Sequence, residues 1–402
     1  MGMNAAPSAE RVHIGIFGRR NAGKSSIINA ITGQNLAIVS DIKGTTTDPV
    51  SKAMELLPLG PVVLIDTPGL DDEGDLGEMR VKKSYQVLNK VDIAVLVIAG
   101  ESFDRESDIE KKLIQRFIEK KIPYIIAVNK VELLAEEKKA EIAAAFDKEQ
   151  IIFVSALKQE NIHELKEKIA ALKPQEDTDK RLVGDLLERG DIVVLVVPID
   201  SAAPKGRLIL PQQQVIRDCL EAGAIPVVTR EKELTETLQA LAKKPKVVIT
   251  DSQAFERVAK ETPQGIYLTS FSILFARYKG SLMQQAKGAK TIWQLKDGDT
   301  VLISEGCTHH RQCGDIGTEK LPRWILNATG KQINFVFTSG TEFPEDLSQY
   351  ALIIHCGGCT LNEREMQYRL KCAKDFGIPM TNYGTAIADI HGVLDRSMEI
   401  FK

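Results

Sequence analysis

Short apolar runs, separated by polar and turn-forming segments, recur along the whole chain. Runs typical of buried strands lie at residues 12–17, 62–65, 123–128, 191–198, 225–228, 246–250, 301–304, 333–337 and 352–354. Helical patterns lie between many of these runs, at residues 26–31, 162–169, 182–188, 212–223, 253–261, 269–286 and 362–376. Strands that alternate with helices predict an α/β fold with mainly parallel sheets.

A polar segment at residues 173–180, which contains a proline, interrupts this alternation and is typical of a linker. The chain has 402 residues, of which 43% are hydrophobic, so it is long enough for several packed domains. We therefore predict three α/β domains, at residues 1–173, 180–265 and 266–402. The middle domain carries no recognisable catalytic motif, and we expect it to mediate dimerisation.

A glycine-rich segment follows the first predicted strand. It comprises Gly18, Arg19, Arg20, Asn21, Ala22, Gly23, Lys24 and Ser25, and Ser26 starts the helix that comes next. The pattern G-x-x-x-x-G-K-S between a strand and a helix is typical of a P-loop, whose backbone N–H groups bind phosphate oxygens. We expect Lys24 to contact the β- and γ-phosphates of a nucleotide and the Ser25 hydroxyl to bind Mg²⁺.

Two further segments fit the phosphate and magnesium side of the same site. Asp66 and Gly69 close the second strand as D-x-x-G. We expect Asp66 to hold Mg²⁺ through water and the Gly69 amide to sense the γ-phosphate. Thr46 lies in a threonine-rich stretch at residues 44–48, whose position suits a switch loop, and is the expected second hydroxyl on Mg²⁺.

The base-binding side is predicted by two later motifs. Asn129, Lys130 and Glu132 resemble the guanine motif N-K-x-D of Ras-like GTPases, with a glutamate in the place of the aspartate. Because this side chain is one methylene longer, the base preference has to be measured. Ser155 and Ala156 resemble the fifth motif, in which a backbone amide contacts the guanine oxygen.

These five motifs resemble the Era and tRNA-modification branch of P-loop GTPases. The resemblance implies a Ras-like domain that binds GTP or GDP with Mg²⁺, and whose catalytic set is Lys24, Asn21, Thr46 and Gly69. Leu70 stands where Ras-like enzymes have a water-orienting glutamine, so slow hydrolysis is expected. In the tRNA-modification relatives an asparagine at the position of Asn21 helps to bind K⁺, which implies K⁺-stimulated hydrolysis. The alternative is that Asn21 only suits an unusual backbone angle of the loop.

Cysteines concentrate in the last third of the chain. Cys356 and Cys359 form C-x-x-C directly after a predicted strand, with His355 before them. Cys307 follows another predicted strand and precedes His309 by two residues. The carboxyl ends of parallel strands meet at one edge of a sheet, so these residues can converge. Three thiols suit an iron–sulfur cluster with one exchangeable position, while structural zinc and a redox dithiol are the alternatives.

The order of these motifs, an Era-like GTPase domain followed by the two cysteine segments, resembles the HydF family of [FeFe]-hydrogenase maturation GTPases over the whole chain. The resemblance implies that Cys307, Cys356 and Cys359 hold a [4Fe–4S] cluster and that the middle domain forms a homodimer. It also implies a scaffold that delivers a precursor of the di-iron subcluster to apo-[FeFe]-hydrogenase, with radical-SAM maturases as further partners.

The fourth iron position stays open at this stage. His309 and His355 are candidates for the fourth ligand or for a place beside the cluster. Cys313, Asp315 and water are their rivals. We favour an exchangeable position, because a delivered di-iron complex needs a place to attach.

Charge and hydropathy argue against several other classes. The net charge is −3, which does not suit a nucleic-acid-binding protein. No run approaches the roughly 18 apolar residues that a membrane span needs, and residues 1–11 lack the apolar core of a signal peptide. We therefore expect a cytoplasmic protein that binds neither nucleic acid nor membrane. The alternative is an Era-like RNA- or ribosome-associated GTPase with a zinc or redox dithiol domain.

Overall fold

The computed structural model describes residues 7–33, 49–71, 75–104, 108–173, 180–199, 208–306, 315–340 and 342–402. It divides into two compact units, Met1–Glu176 and Asp177–Lys402. Thr46, Cys307 and His309, three of the predicted site residues, lie outside the described residues, as does the rival ligand Cys313.

The first unit is built on one six-stranded sheet with the strand order β2-β3-β1-β4-β5-β6. Its strands are β1 (Val12–Phe17), β2 (Val50–Leu56), β3 (Gly60–Asp66), β4 (Ile93–Ala99), β5 (Tyr124–Asn129) and β6 (Ile151–Phe153). Its helices are α1 (Lys24–Thr32), α2 (Asp75–Val87), α3 (Asp108–Glu119), α4 (Glu136–Ala143) and α5 (Ile162–Ala171). Only the β2–β3 pair is antiparallel among the pairings of this sheet.

Both faces of this sheet are covered by apolar side chains. Every residue of β4 is buried. Ile93 and Val95 belong to one core cluster, and Ala94 and Leu96 belong to another. A strand that is buried on both faces has no polar side, which explains its continuous run of apolar residues.

The second unit contains two four-stranded sheets, each parallel throughout. The strands of the first sheet are, in the order β10-β9-β7-β8, β10 (Tyr267–Ser270), β9 (Val247–Thr250), β7 (Ile192–Val196) and β8 (Ile225–Thr229). Those of the second are, in the order β12-β11-β13-β14, β12 (Asn334–Thr338), β11 (Thr300–Ser304), β13 (Leu352–His355) and β14 (Met380–Asn382). One core cluster contains Val194 and Val248 from the first sheet and Ile303 and Ile354 from the second.

Helices pack on these two sheets. They are α6 (Leu210–Glu221), α7 (Leu234–Ala240), α8 (Phe255–Glu261), α9 (Phe271–Lys279), α10 (Leu282–Ala289), α11 (Leu321–Thr329), α12 (Glu363–Asp375), α13 (Tyr383–Ile390) and α14 (Leu394–Ser397). The α/β class, with a Ras-like unit followed by two mainly parallel sheets, is therefore confirmed. The division of the second unit at residue 265 stays a prediction.

Two predicted helices differ from the structure. Residues 182–188 contain only a 3₁₀ turn, Gly184–Leu186. Residues 269–286 begin inside β10, form α9 and then restart as α10. Gly280 separates these helices with an extended backbone, and Ser270 caps α9 through a hydrogen bond from the Ile273 amide. A lone glycine within an apolar pattern is a weak sequence signal for such a break.

Among the described residues, no helix is both long enough and apolar enough to cross a membrane.

Candidate functional site

The phosphate-binding loop lies between β1 and α1, as its sequence predicts. The ammonium of Lys24 donates to the carbonyl oxygens of Gly18, at 3.0 Å, and of Arg19, at 2.8 Å. Lys24 and Ser25 form the first turn of α1, where free backbone N–H groups favour an anion. The loop therefore has the architecture of a phosphate-binding site.

Ser25 and Asp66, the two predicted magnesium residues in the described part of the chain, are in contact. The Ser25 hydroxyl donates to Asp66 Oδ2 at 3.0 Å. Asp66 Oδ1 is buried and has no hydrogen-bond partner among the described residues. Burial raises the pKa of Asp66, while the Ser25 hydrogen bond and the charge of Lys24 oppose that shift. A carboxylate oxygen left without a partner beside a hydroxyl fits a hard divalent cation such as Mg²⁺.

Asn129 joins the phosphate loop to the two base-binding motifs. Its side chain donates to the Ala22 carbonyl oxygen at 3.2 Å and accepts from the Ala156 amide at 3.1 Å. Gly23 lies against this side chain, since a Cβ atom built on it would be 2.2 Å from Asn129 Nδ2. Three segments that are distant in sequence therefore meet at one asparagine.

A cavity of about 920 Å³ opens beside this junction. Its lining includes Gly23, Ser26, Asn129, Lys130, Glu132 and Ala156. The volume lies within the range of small-molecule sites. A hydrogen bond from the Ser155 hydroxyl lowers the pKa of Glu132, so this carboxylate is ionised at neutral pH. Lys130 pairs with Glu101 at the same cavity.

The remaining loop residues are held by neighbouring segments. Arg19 forms a two-point ion pair with Glu110 of α3, with Nε–Oε1 and Nη2–Oε2 distances of 2.7 and 3.1 Å. The Arg20 amide donates to Asp71 Oδ1 at 2.6 Å. Asn21 has a φ of 59°, in the left-handed region that asparagine tolerates.

Gly69 and Leu70 lie three and four residues after Asp66, the predicted magnesium ligand. A Cβ atom built on Gly69 would be 2.9 Å from the Arg20 amide nitrogen, so the D-x-x-G segment passes close to the phosphate loop. Leu70 is buried in a core cluster that also contains Phe17 and Val63. A buried aliphatic side chain cannot orient an attacking water molecule.

The C-x-x-C loop begins at the carboxyl end of β13. Cys356 Sγ accepts hydrogen bonds from the amide of Gly306, at 3.0 Å, and from that of Gly358, at 3.4 Å. The parallel register pairs Ser304 of β11 with His355 of β13, so the ends of these two strands lie side by side. Residue 306, which directly precedes Cys307, therefore reaches the C-x-x-C loop.

The thiols of this loop form a soft donor set that suits iron or zinc. Both cysteines of the loop, Cys356 and Cys359, are half-buried. In the part of the chain that the structure describes, no three His, Cys, Asp or Glu side chains are arranged to hold a metal ion. Burial raises the pKa of the Cys359 thiol, and the charge of Lys279 opposes that shift.

His355 is fully buried, and both of its ring nitrogens are engaged. Nδ1 donates to the Cys356 carbonyl oxygen at 2.8 Å, and Nε2 accepts from Arg369 Nη1 at 2.9 Å. Burial, together with the charge of the adjacent Arg369, lowers the pKa of His355 to about 3. The ring is therefore neutral and bridges the loop to α12. Because both ring nitrogens are in use, His355 is better placed to lie beside a bound metal than to be one of its ligands. Its role stays a prediction.

Three buried charged residues around this loop had no sequence signal. Arg369 bonds to Glu365, to the Ser304 hydroxyl and to the Gly340 carbonyl oxygen. Lys279 donates to three carbonyl oxygens of the loop. Glu305 accepts from the Tyr383 hydroxyl at 3.2 Å. Arg369 lies within α12, Lys279 is the last residue of α9, and Glu305 directly follows β11. Periodicity alone does not distinguish these positions from ordinary packing.

Comparison with known proteins supports both halves of this picture. The family model of a 50S ribosome-binding GTPase matches residues 13–130. The hydrogen maturase F dimerization domain matches residues 182–280, and the hydrogen maturase F tetramerization domain matches residues 283–400. The first unit therefore contains a GTPase domain, and the second matches two domain models of one family.

Curated relatives match the GTPase part. The tRNA modification GTPase MnmE of Clostridioides difficile (strain 630) is 35% identical over 158 residues, which are 39% of this chain and 33% of the relative. MnmE of Lysinibacillus sphaericus (strain C3-41) is 29% identical over 229 residues, which are 56% of this chain and 46% of the relative. The chain thus spans less than half of the length of either relative.

Among solved structures, Era of Aquifex aeolicus is 19% identical, with a TM-score of 0.36, over 57% of this chain and 98% of Era. The identifying match is with the hydrogen maturase F models, which together cover more than half of the chain. The chain belongs to the hydrogen maturase F (HydF) family.

Proposed function

We propose that this protein is a GTPase that serves as a scaffold and carrier in the maturation of [FeFe]-hydrogenase. It would bind a [4Fe–4S] cluster and deliver a di-iron subcluster precursor to the apo-hydrogenase. The observation that carries the proposal is the 3.0 Å hydrogen bond from the Gly306 amide to Cys356 Sγ. This hydrogen bond brings Gly306, the residue before Cys307, to the C-x-x-C loop, and the chain belongs to the HydF family.

Cys307, Cys356 and Cys359 would hold the cluster, which supplies an iron position at which a second metal complex can attach. His309 is a candidate for the fourth ligand or for a place beside the cluster. The two hydrogen bonds of His355 support a positioning role, because they orient the C-x-x-C loop at its first cysteine.

GTP hydrolysis would depend on positioning and charge stabilisation. Lys24 would contact the β- and γ-phosphates, and Ser25, Thr46 and Asp66 would hold Mg²⁺. Leu70 is buried and can act neither as a general base nor as a residue that orients water. We therefore expect slow turnover. The partners of the proposed cycle are a second copy of this chain, the apo-hydrogenase and radical-SAM maturases in the cytoplasm.

Iron and sulfide analysis with EPR on anaerobically reconstituted protein tests this proposal. We expect about four irons and four sulfides per chain, the content of one [4Fe–4S] cluster. Loaded protein should then activate apo-[FeFe]-hydrogenase, measured as hydrogen evolution. Zinc alone, or a metal-free protein with a reversible Cys356–Cys359 disulfide, would refute the cluster proposal.

Replacing Glu132 with glutamine should weaken GDP binding by about tenfold. The ionised carboxylate at this cavity would accept hydrogen bonds from guanine, and a charged hydrogen bond contributes about 1.5–3 kcal/mol. Fluorescent-nucleotide titration measures the affinity, and ATP competition measures base preference. Glu136→Gln is the matched control, because Glu136 is exposed at the start of α4. Equal GDP affinities of wild type and Glu132→Gln would contradict the assignment.

GTP turnover should be at least about tenfold faster in KCl than in NaCl, since a cation beside the phosphates can stabilise transition-state charge as an arginine finger does. Glycine is the informative replacement for Asn21, because it keeps the left-handed backbone with φ of 59° and removes only the side chain. Asn21→Gly should lose the K⁺ stimulation while retaining GDP binding. A variant that is still stimulated by K⁺ would leave Asn21 with a purely conformational role.

A further inference from the structure

Lys279, the last residue of α9, has its ammonium group inside the second unit. The side chain is 2% exposed. Its Nζ donates to the carbonyl oxygens of Gly358, at 3.1 Å, of Cys359, at 3.2 Å, and of Leu361, at 2.6 Å. All three acceptors belong to the C-x-x-C loop or to the turn that follows it.

Burying a lysine ammonium is costly unless polar groups replace its water shell. Here the three donors of the ammonium match three carbonyl oxygens of one short segment, so the segment must keep its shape to satisfy them. A backbone hydrogen bond closes the same segment, from the Leu361 amide to the Gly358 carbonyl oxygen at 3.2 Å. Lys279 therefore ties together the turn that orients Cys359.

The anchor also connects two segments of the chain. Lys279 lies in the part that matches the dimerization domain, whereas the loop lies in the part that matches the tetramerization domain. The Gln367 side chain of α12 donates to the Lys279 backbone carbonyl oxygen at 3.1 Å, which fixes the end of α9 from the other side. The position of the loop thus depends on where α9 ends.

The charge of Lys279 has a second consequence, which rests on the proposed function. The ammonium donates to the carbonyl oxygen of Cys359 at 3.2 Å, so its positive charge lies beside a residue that would bind the cluster. A metal cluster held by thiolates carries negative charge, and burying that charge is unfavourable without a nearby cation. A buried cation also favours the reduced cluster, which is the more negative of the two redox states.

We propose that Lys279 is a positioning residue that holds the C-x-x-C loop ready for metal and compensates the negative charge of the cluster bound there. The ligand class is a thiolate-bound iron–sulfur cluster. Lys279 does not contact the iron in this proposal and acts only through the loop backbone and through its charge.

Hydrogen exchange on the metal-free protein tests the positioning role by itself. In Lys279→Met, peptides that cover residues 357–361 should exchange at least about tenfold faster than in wild type, since charge-assisted hydrogen bonds to the loop are lost. Lys279→Arg should restore much of the protection. Lys371→Met, on the exposed face of α12, is the matched control and should leave these peptides unchanged. Unchanged exchange in Lys279→Met would overturn the positioning role.

The midpoint potential of the reconstituted cluster tests the charge role. Lys279→Gln keeps two N–H donors without the charge. It also replaces Lys279→Met in the exchange experiment if that variant does not fold. Its cluster should have a more negative midpoint potential than that of wild type and of Lys279→Arg, by EPR-monitored redox titration. Equal potentials in all three proteins would overturn the charge role. Wild-type protein that binds no cluster would instead refute the proposed function, while the exchange result on metal-free protein would stand.

Discussion

Replacing Gly23 with alanine should reduce the affinity for GTP and GDP by at least about 100-fold. The new Cβ atom would lie 2.2 Å from Asn129 Nδ2, a distance at which one of the two groups must move. Asn129 connects the phosphate loop to the base-binding motifs through Ala22 and Ala156, so its displacement disturbs both sides of the nucleotide site. The φ of +90° at Gly23 adds a backbone cost of roughly 1–2 kcal/mol for any residue with a side chain.

Gly60→Ala separates these two causes. Gly60 starts β3 and has a φ of +86°, but a Cβ atom built on it would meet no atom within 4 Å, and it does not line the cavity beside Asn129. This variant carries the backbone cost without the clash, so it should lose stability and keep GDP affinity within about threefold. Calorimetric titration with GDP and thermal unfolding of both variants measure the two effects. Similar affinities of the Gly23 and Gly60 variants would show that the contact with Asn129 is not important for binding.

The nucleotide site could be predicted from the sequence because its chemistry is written in short contiguous motifs. The loop that contains Lys24 follows β1, and Asp66 and Asn129 are the last residues of β3 and β5. Parallel strands place their carboxyl ends at one edge, so the topology brings these motifs together. The junction at Asn129 itself was not predictable, since it depends on a side chain that bridges two loops.

The second unit shows where such prediction ends. Two apolar runs that each precede a cysteine were expected to be strands whose carboxyl ends converge, and the register of β11 with β13 places these ends side by side. The buried residues that hold the loop were not expected. The predicted helix at residues 269–286 runs through Gly280 and so places Lys279 inside a helix. In the structure Lys279 is the last residue of α9.

Arg369 illustrates the same limit. Its position in α12 fits an ordinary amphipathic helix, and only the structure shows a fully buried guanidinium that contacts His355 and Ser304 at two strand ends. Buried polar networks depend on groups that are distant in sequence and satisfy one another in three dimensions. Periodicity predicts which face of a helix is buried, and it does not predict that a charged residue on this face has its partners there.

Replacing Cys356 or Cys359 with alanine should remove most of the iron that the protein binds. The iron content of reconstituted protein should fall from about four per chain to less than about one, because a cluster that loses one of three thiolates loses a covalent ligand. Cys372→Ala is the matched control, since Cys372 is a half-buried cysteine on α12 outside the C-x-x-C loop. This control should retain its iron.

GTP hydrolysis provides an internal reference for the same variants. The described nucleotide-site residues all belong to Met1–Glu176, whereas the C-x-x-C loop belongs to Asp177–Lys402. Independent sites usually perturb each other by less than about 0.5 kcal/mol, so kcat/KM of the cysteine variants should stay within about twofold of wild type. Loss of iron with unchanged hydrolysis would place the metal role in the loop itself. Iron retained by both Cys356→Ala and Cys359→Ala would mean that the loop does not supply the cluster ligands, and a parallel fall in hydrolysis would instead indicate that the state of the loop is coupled to the GTPase domain.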